Sequence, residues 1–179
     1  MTALLPLIPQ PLTPEGFAPF GQVASAGSGR ALPVNEGRGI RYDGDCLFES
    51  AGQVTPVLAV YRIQPSSLPF TVREMEQHPS SSQAFIPMSA GRFLVVAALA
   101  DASGGPDPAT AAAFEASPGQ IVNYGRGVWH CPLVALDHPG DFAMVMWQEA
   151  DPALDCRVVT LDTPLTVERQ PSSQLEFTP

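Results

Sequence analysis

Several signals are missing from this chain, and each absence removes a class of function. The three cysteines, Cys46, Cys131 and Cys156, make no Cys-x-x-Cys pair and no zinc spacing, so they read as isolated thiols. Lysine and arginine number 9 against 18 acids, a formal charge of −9. Phosphate backbones bind basic faces, which argues against nucleic acid as a partner. No apolar run approaches the roughly 18 residues of a membrane span. The apolar opening MTALLPLIPQPL lacks a basic leader and is broken by prolines, so the expectation is no membrane contact and a cytoplasmic location. There is no Gly-x-Ser-x-Gly, Walker loop or dinucleotide fingerprint, which disfavours acyl transfer through serine, NTP hydrolysis and NAD chemistry.

What is present suits short strands. Apolar residues make up 45% of the chain, and 20 prolines and 15 glycines are scattered without a repeat. That composition predicts an all-β protein, one domain over residues 1–179, with tight turns. Thr13-Pro14-Glu15 starts a very short helix, held short by Gly16 and Pro19. Residues 24 to 45 read as a long polar loop in which Asn35, Arg38, Arg41 and Tyr42 could hydrogen-bond a ligand. Val57 to Ile63 reads as a largely buried strand whose one charge is Arg62. That arginine is an edge residue, half of an ion pair, or a fork for an anion in a cavity. Residues 83–88 and 92–100 read as strands of a hairpin turning at Ser89-Ala90-Gly91, and the alanine-rich stretch after Asp107 as the one clear helix.

Chemistry concentrates in GQIVNYGRGVWHCP, residues 119 to 132. A short strand ends at Tyr124, Gly125 and Gly127 bracket Arg126 in a tight turn, and His130 follows at once. His78, His130, Glu76, Arg62, Arg126, Arg41, Tyr42 and Tyr124 are the titratable groups at strand ends and turns. Arginines for a carboxylate and histidines for proton transfer suit cleavage or isomerisation of a small organic acid. A core histidine satisfied by a neighbouring carbonyl is the structural alternative for His130. His78, His130 and Gln83 alone fall one acid short of a good divalent site, so neither a metal nor another cofactor is expected.

The same run resembles the second motif of cupins, with Gly119, Gly127 and His130 in place and Gly125 where proline is usual. HPSSSQAFIPMSAGRFLVV resembles a degraded first motif, with Gln83 at the acidic position. Together they imply a cupin-like, jelly-roll β-barrel with one or two short helices. More specifically, HPSSSQAFIPM, PGQIVNYGRGVWHCPL and GDFAMVMW, with the opening LPLIPQPLTPEGFAPFGQV and RIQPSSLPFTVREMEQHP, resemble the ureidoglycolate lyase family over most of residues 4 to 148.

The resemblance implies a homodimer, without redox cofactor, that releases urea and glyoxylate from ureidoglycolate in purine (allantoin) breakdown. It implies acid/base work for His130, with His78 as a second candidate, and a carboxylate held by Arg62 with Arg126 behind it. Tyr124 and Gln83 would orient the ureido group, with Arg41 and Asn35 as further binding residues. The chain departs from the family pattern at Asp43, where histidine is usual, at Gln77, at Cys131 after His130, and at Met146-Trp147-Gln148, where acid-Arg-Gly is usual. Those departures keep two alternatives open: another small carboxylate as substrate, or a silent small-acid-binding barrel.

Overall fold

A computed structural model describes residues 6–44 and 46–170; the tail run QLEF, which reads from its sequence as a short strand, lies outside them. The first half of the chain forms β1 (Gln10–Pro11), α1 (Pro14–Phe17), β2 (Gly21–Ala24), β3 (Arg30–Val34), β4 (Gly39–Asp43), β5 (Val54–Ile63), β6 (Phe70–Gln77) and β7 (Gln83–Pro87). The second half adds β8 (Phe93–Ala98), β9 (Ala112–Ala116), β10 (Ile121–Tyr124), β11 (Trp129–His130), β12 (Val134–Ala135), β13 (Gly140–Glu149) and β14 (Arg157–Val167). No helix among the described residues is long and apolar enough to cross a membrane.

The strands build the expected all-β fold from two facing sheets. One has seven strands, in the order β1-β9-β8-β11-β6-β14 with β12 beside β8; the other has five, in the order β2-β10-β7-β13-β5. Strand alternation decides what lies between them. Phe93, Val95 and Ala97 of β8 meet Phe85, Val122, Tyr124, Phe142 and Met144 of the five-stranded sheet in the main core. Leu94, Val96 and Ala98 point the other way into a second cluster with Met75, Trp129 and Leu165. Apolar cover on both faces explains why β8 is a continuous buried run.

The helix start is as expected: the Thr13 hydroxyl accepts the Gly16 N–H at 3.0 Å, and Pro14 opens the first turn. Four expectations are corrected. The alanine-rich stretch is no helix: Asp107 caps a single 3-10 turn, and residues 112–116 pair antiparallel with β8. Phe114 and Ala116 there enter the main core, and that burial outweighs helix propensity. β7 and β8 are not a hairpin, because they belong to opposite sheets. The segment read as a polar loop is largely a separate two-stranded arm, β3 with β4. β5 is also less buried than expected, being the outer strand of its sheet, a position that tolerates Pro56.

Gly21 holds β2 against β10 with φ +147°, and a Cβ there would lie 2.0 Å from the Asn123 carbonyl oxygen. Gly21→Ala is therefore expected to destabilise the fold by about 3 kcal/mol or more. A thermal or urea melt of the purified variant checks this, and an unchanged midpoint would contradict the strand contact.

Candidate active site

β6 ends with Glu76 and Gln77, and His78 follows at once, two residues on from Glu76. β11 lies beside β6 with His130 directly opposite Glu76. Because successive strand residues alternate, Trp129 turns away into the second core cluster while His130 turns between the sheets. Gln83 and Tyr124 arrive from the facing sheet, paired across β7 and β10. A site is thus assembled from both layers of the fold.

His130 is 1% exposed, and each ring nitrogen faces oxygen. Nδ1 lies 3.1 Å from the Val128 carbonyl, and Nε2 lies 3.0 Å from Gln83 Oε1 and 3.2 Å from Glu76 Oε1. The Val128 carbonyl thus faces one ring nitrogen, while Gln83 and Glu76 share the other. Tyr124 stacks on the ring at 4.0 Å and 12°. Tyr124 thus shields the ring, while the neighbouring Trp129 turns away and its indole donates to the Gly104 carbonyl at 3.2 Å.

His78 sits 5.5 Å away, ring centre to ring centre. Its Nδ1 lies 2.9 Å from the Asp155 carbonyl, while its buried Nε2 has no hydrogen-bond partner. A buried unpartnered nitrogen is costly and asks for a ligand. Burial, then the nearby His130, lowers the His78 pKa below its ordinary 6.5. Burial opposes the charge on Glu76, but the His130 hydrogen bond and charge, with His78 behind them, outweigh it and hold that carboxyl below its ordinary 4.5.

The donor atoms of Glu76, His78 and His130 all lie within 4.8 Å of one another. The expectation of no metal rested on a missing acid, and Glu76 supplies one. Two imidazoles, a carboxylate and the unpartnered His78 Nε2 fit a divalent cation.

The other sequence candidates scatter. Arg62 lies outside the pocket on the exposed face of β5, forked onto Asp141 of β13 at 2.7 and 2.8 Å. That pairing corrects the reading of Arg62 as the carboxylate fork, because both guanidinium contacts are already taken by its cross-strand neighbour. Arg126 is exposed on the turn before His130, its backbone N–H near Glu49. Asn35 and Arg41 lie on the β3–β4 arm, where Arg41 and Arg30 both pair with Asp43. Among the described residues no arginine ion-pairs with the Glu76–His130 cluster. Of the two glycines expected to turn the chain at Arg126, Gly127 has the positive φ, +77°. Gln77 fixes that turn through an amide donated to the Gly127 carbonyl at 2.7 Å.

Sequence reasoning ranked Glu76 below the histidines and missed Tyr61. The usable signal for Glu76 was its two-residue spacing from His78. Tyr61 packs edge-on against Phe85 at 5.8 Å, inside β5. Burial, Glu76 and then Cys156 raise its phenol above the ordinary 10.0. Burial and Glu76 likewise push the Cys131 thiol up to about 12, so it is a packed, unreactive group.

Comparison with known proteins agrees with the motifs. The family model for ureidoglycolate lyase matches residues 5–168. The chain belongs to the ureidoglycolate lyase family. The Burkholderia cepacia ureidoglycolate lyase is 39% identical over 163 residues, 90% of this chain and 89% of that one. The Brucella abortus biovar 1 (strain 9-941) ureidoglycolate lyase is 44% identical over 137 residues, 76% of this chain and 79% of that one. A solved mutant of Bacillus subtilis oxalate decarboxylase superposes with a TM-score of 0.40 at 16% identity, over 60% of this chain and 24% of that one.

Two measurements test this assignment of residues. Unfolding should let His78 take a proton near pH 6.5 that the folded site refuses, and Glu76 near pH 4.5. Both pKa values are depressed on folding, so stability is full above pH 6.5 and falls on acidification. Melting temperature is expected to drop between about pH 7 and pH 5, and His78→Gln should flatten that slope. Arg62→Ala, by contrast, should leave turnover unchanged and shift the melting temperature by less than about 2 °C, as for other exposed ion pairs.

Proposed function

We propose that this member of the family is a carbon–nitrogen lyase that cleaves ureidoglycolate to glyoxylate and urea. The observation that carries the reading is the buried Glu76–His130 pair facing the unpartnered Nε2 of His78. Ureidoglycolate is a hemiaminal. Its hydroxyl must lose a proton as the C–N bond breaks, and the departing urea nitrogen must gain one. The oxygen's electron pair becomes the aldehyde double bond, and the C–N pair leaves with nitrogen.

The residues divide these tasks. Donation of Nδ1–H to Asp155 leaves the His78 lone pair on Nε2, and burial keeps that ring neutral. Nε2 is placed to take the hydroxyl proton. A proton on the His130–Glu76 pair goes to the leaving nitrogen. Gln83 and Tyr61 orient the ureido group, and Tyr124 braces the His130 ring from behind. A divalent ion, if bound, would be held by Glu76, His78 and His130 in place of these proton-transfer roles, and would polarise a substrate oxygen as a Lewis acid. Arg126 and Arg41 are the candidates for the carboxylate. On this reading the enzyme is a cytoplasmic homodimer in allantoin breakdown.

One observation favours a second substrate. Met146 stands where the family pattern has an acid, and its sulfur lies 3.8 Å from the Gln83 amide. A less polar carbinolamide would suit that wall better than a urea does.

His130→Asn and Glu76→Gln are each expected to lower turnover by roughly 10² or more while the fold is retained. Release of urea and glyoxylate, measured with the melting temperature on each variant, decides the matter. A stable and fully active His130→Asn enzyme would remove the proton donor from this scheme. Faster turnover of another carbinolamide than of ureidoglycolate would favour the second substrate.

A further inference from the structure

The connection between β13 and β14, residues 150–156, lies beyond the motifs that carry the family pattern. It nevertheless closes over the end of β6, where Arg157 pairs with Gln77. Two bonds meet there at Asp155. Its backbone carbonyl lies 2.9 Å from His78 Nδ1, and its carboxylate accepts the Glu149 N–H at the end of β13. Asp155 is 8% exposed, the one carboxylate among the buried residues described. Aspartate is almost never buried unless paired, and here the partner is a backbone N–H.

A carbonyl oxygen only accepts, so His78 carries its hydrogen on Nδ1. The lone pair of the neutral ring is then on Nε2, the buried atom without a partner. A free histidine side chain prefers the opposite tautomer, with hydrogen on Nε2, so the position of one carbonyl decides what His78 offers. That carbonyl belongs to a turn. Asp151 closes the turn on itself: its side chain accepts the Ala153 N–H and its carbonyl the Leu154 N–H, both at 3.0 Å. The Asp155 carboxylate ties the turn, through β13, to the body of the five-stranded sheet.

We infer that Asp155 is a positioning residue: bonded to Glu149, its carboxylate fixes the carbonyl that holds His78 in the Nδ1–H tautomer and so presents the Nε2 lone pair to a ligand. Outer partners act on a histidine in this indirect way, through its tautomer and ring orientation. The tautomer does not depend on what the ligand is, since a hydroxyl proton and a divalent ion would each take the same lone pair. Only the effect on turnover rests on the lyase reading above.

The test uses the full chain, labelled with 15N-histidine and kept in EDTA at about pH 8, where the His78 ring is neutral. The two ring-nitrogen shifts report the tautomer directly, and His78→Gln identifies them among the three histidines. The parent should show Nδ1–H alone. Asp155→Ala should bring in the Nε2–H form and lower kcat about 30-fold, with KM changed less than about threefold. Asp155→Asn, which keeps an oxygen for the Glu149 N–H, should retain the parental shifts and most of the turnover. Asp155→Leu preserves the packing if the alanine variant does not fold, and should behave as alanine does. A folded alanine or leucine variant with the parental tautomer would overturn the inference. So would failure of both to fold, because the carboxylate would then secure the fold and not the ring. An inactive parent whose tautomer still shifts in Asp155→Ala would remove the lyase reading and leave the inference standing.

Discussion

The interaction that the rest depends on is the contact between Glu76 and His130 across the β6–β11 pair. The carboxylate lies 3.2 Å from an imidazole that is 1% exposed, and that contact sets the charge state of Glu76. Without His130, burial would push Glu76 towards its neutral form; with it, the carboxyl is held below its ordinary range. The pair needs β6 and β11 adjacent and in one register, which in turn needs β8 buried on both faces behind them. The two-layer core is thus the condition for the chemistry.

The facing sheet completes the site by a different route. Gln83 meets His130 although the two residues belong to separate sheets, so the distance between the layers sets that hydrogen bond. Tyr124 stacks on the same ring from the strand paired with Gln83. An aromatic plate, an amide and a carboxylate fix the imidazole on three sides. His78 lies 5.5 Å away, ring centre to ring centre, with an Nε2 that has no protein partner. A ring fixed on three sides beside an unsatisfied nitrogen is built to receive a ligand.

The departures from the family pattern have local consequences that the structure explains unevenly. Gln77 gives its amide to the Gly127 carbonyl and so anchors the turn that delivers His130. Asp43 gathers Arg30 and Arg41 on the arm. Cys131 is packed into the second core cluster, where a thiol fits as an apolar group. Met146 lies beside Gln83, its sulfur 3.8 Å from the amide. Three of these four preserve the architecture. Met146 is the one that touches a residue in contact with His130.

Local pattern in the sequence determined the all-β class, the short helix at Thr13, the glycine turn at Arg126 and the prominence of His130. Each depends on residues within a few positions of one another, where alternation and permitted φ act directly. Longer-range facts were decided by the tertiary structure. The alanine-rich stretch after Asp107 becomes a strand because β8 offers it partners and a core. Arg62 is taken by Asp141, a residue 79 positions away, and so never reaches the pocket. Glu76 becomes the partner of His130 only once register sets β6 against β11. Register and sheet stacking sum weak contacts over the whole chain, and no short window of sequence contains that sum.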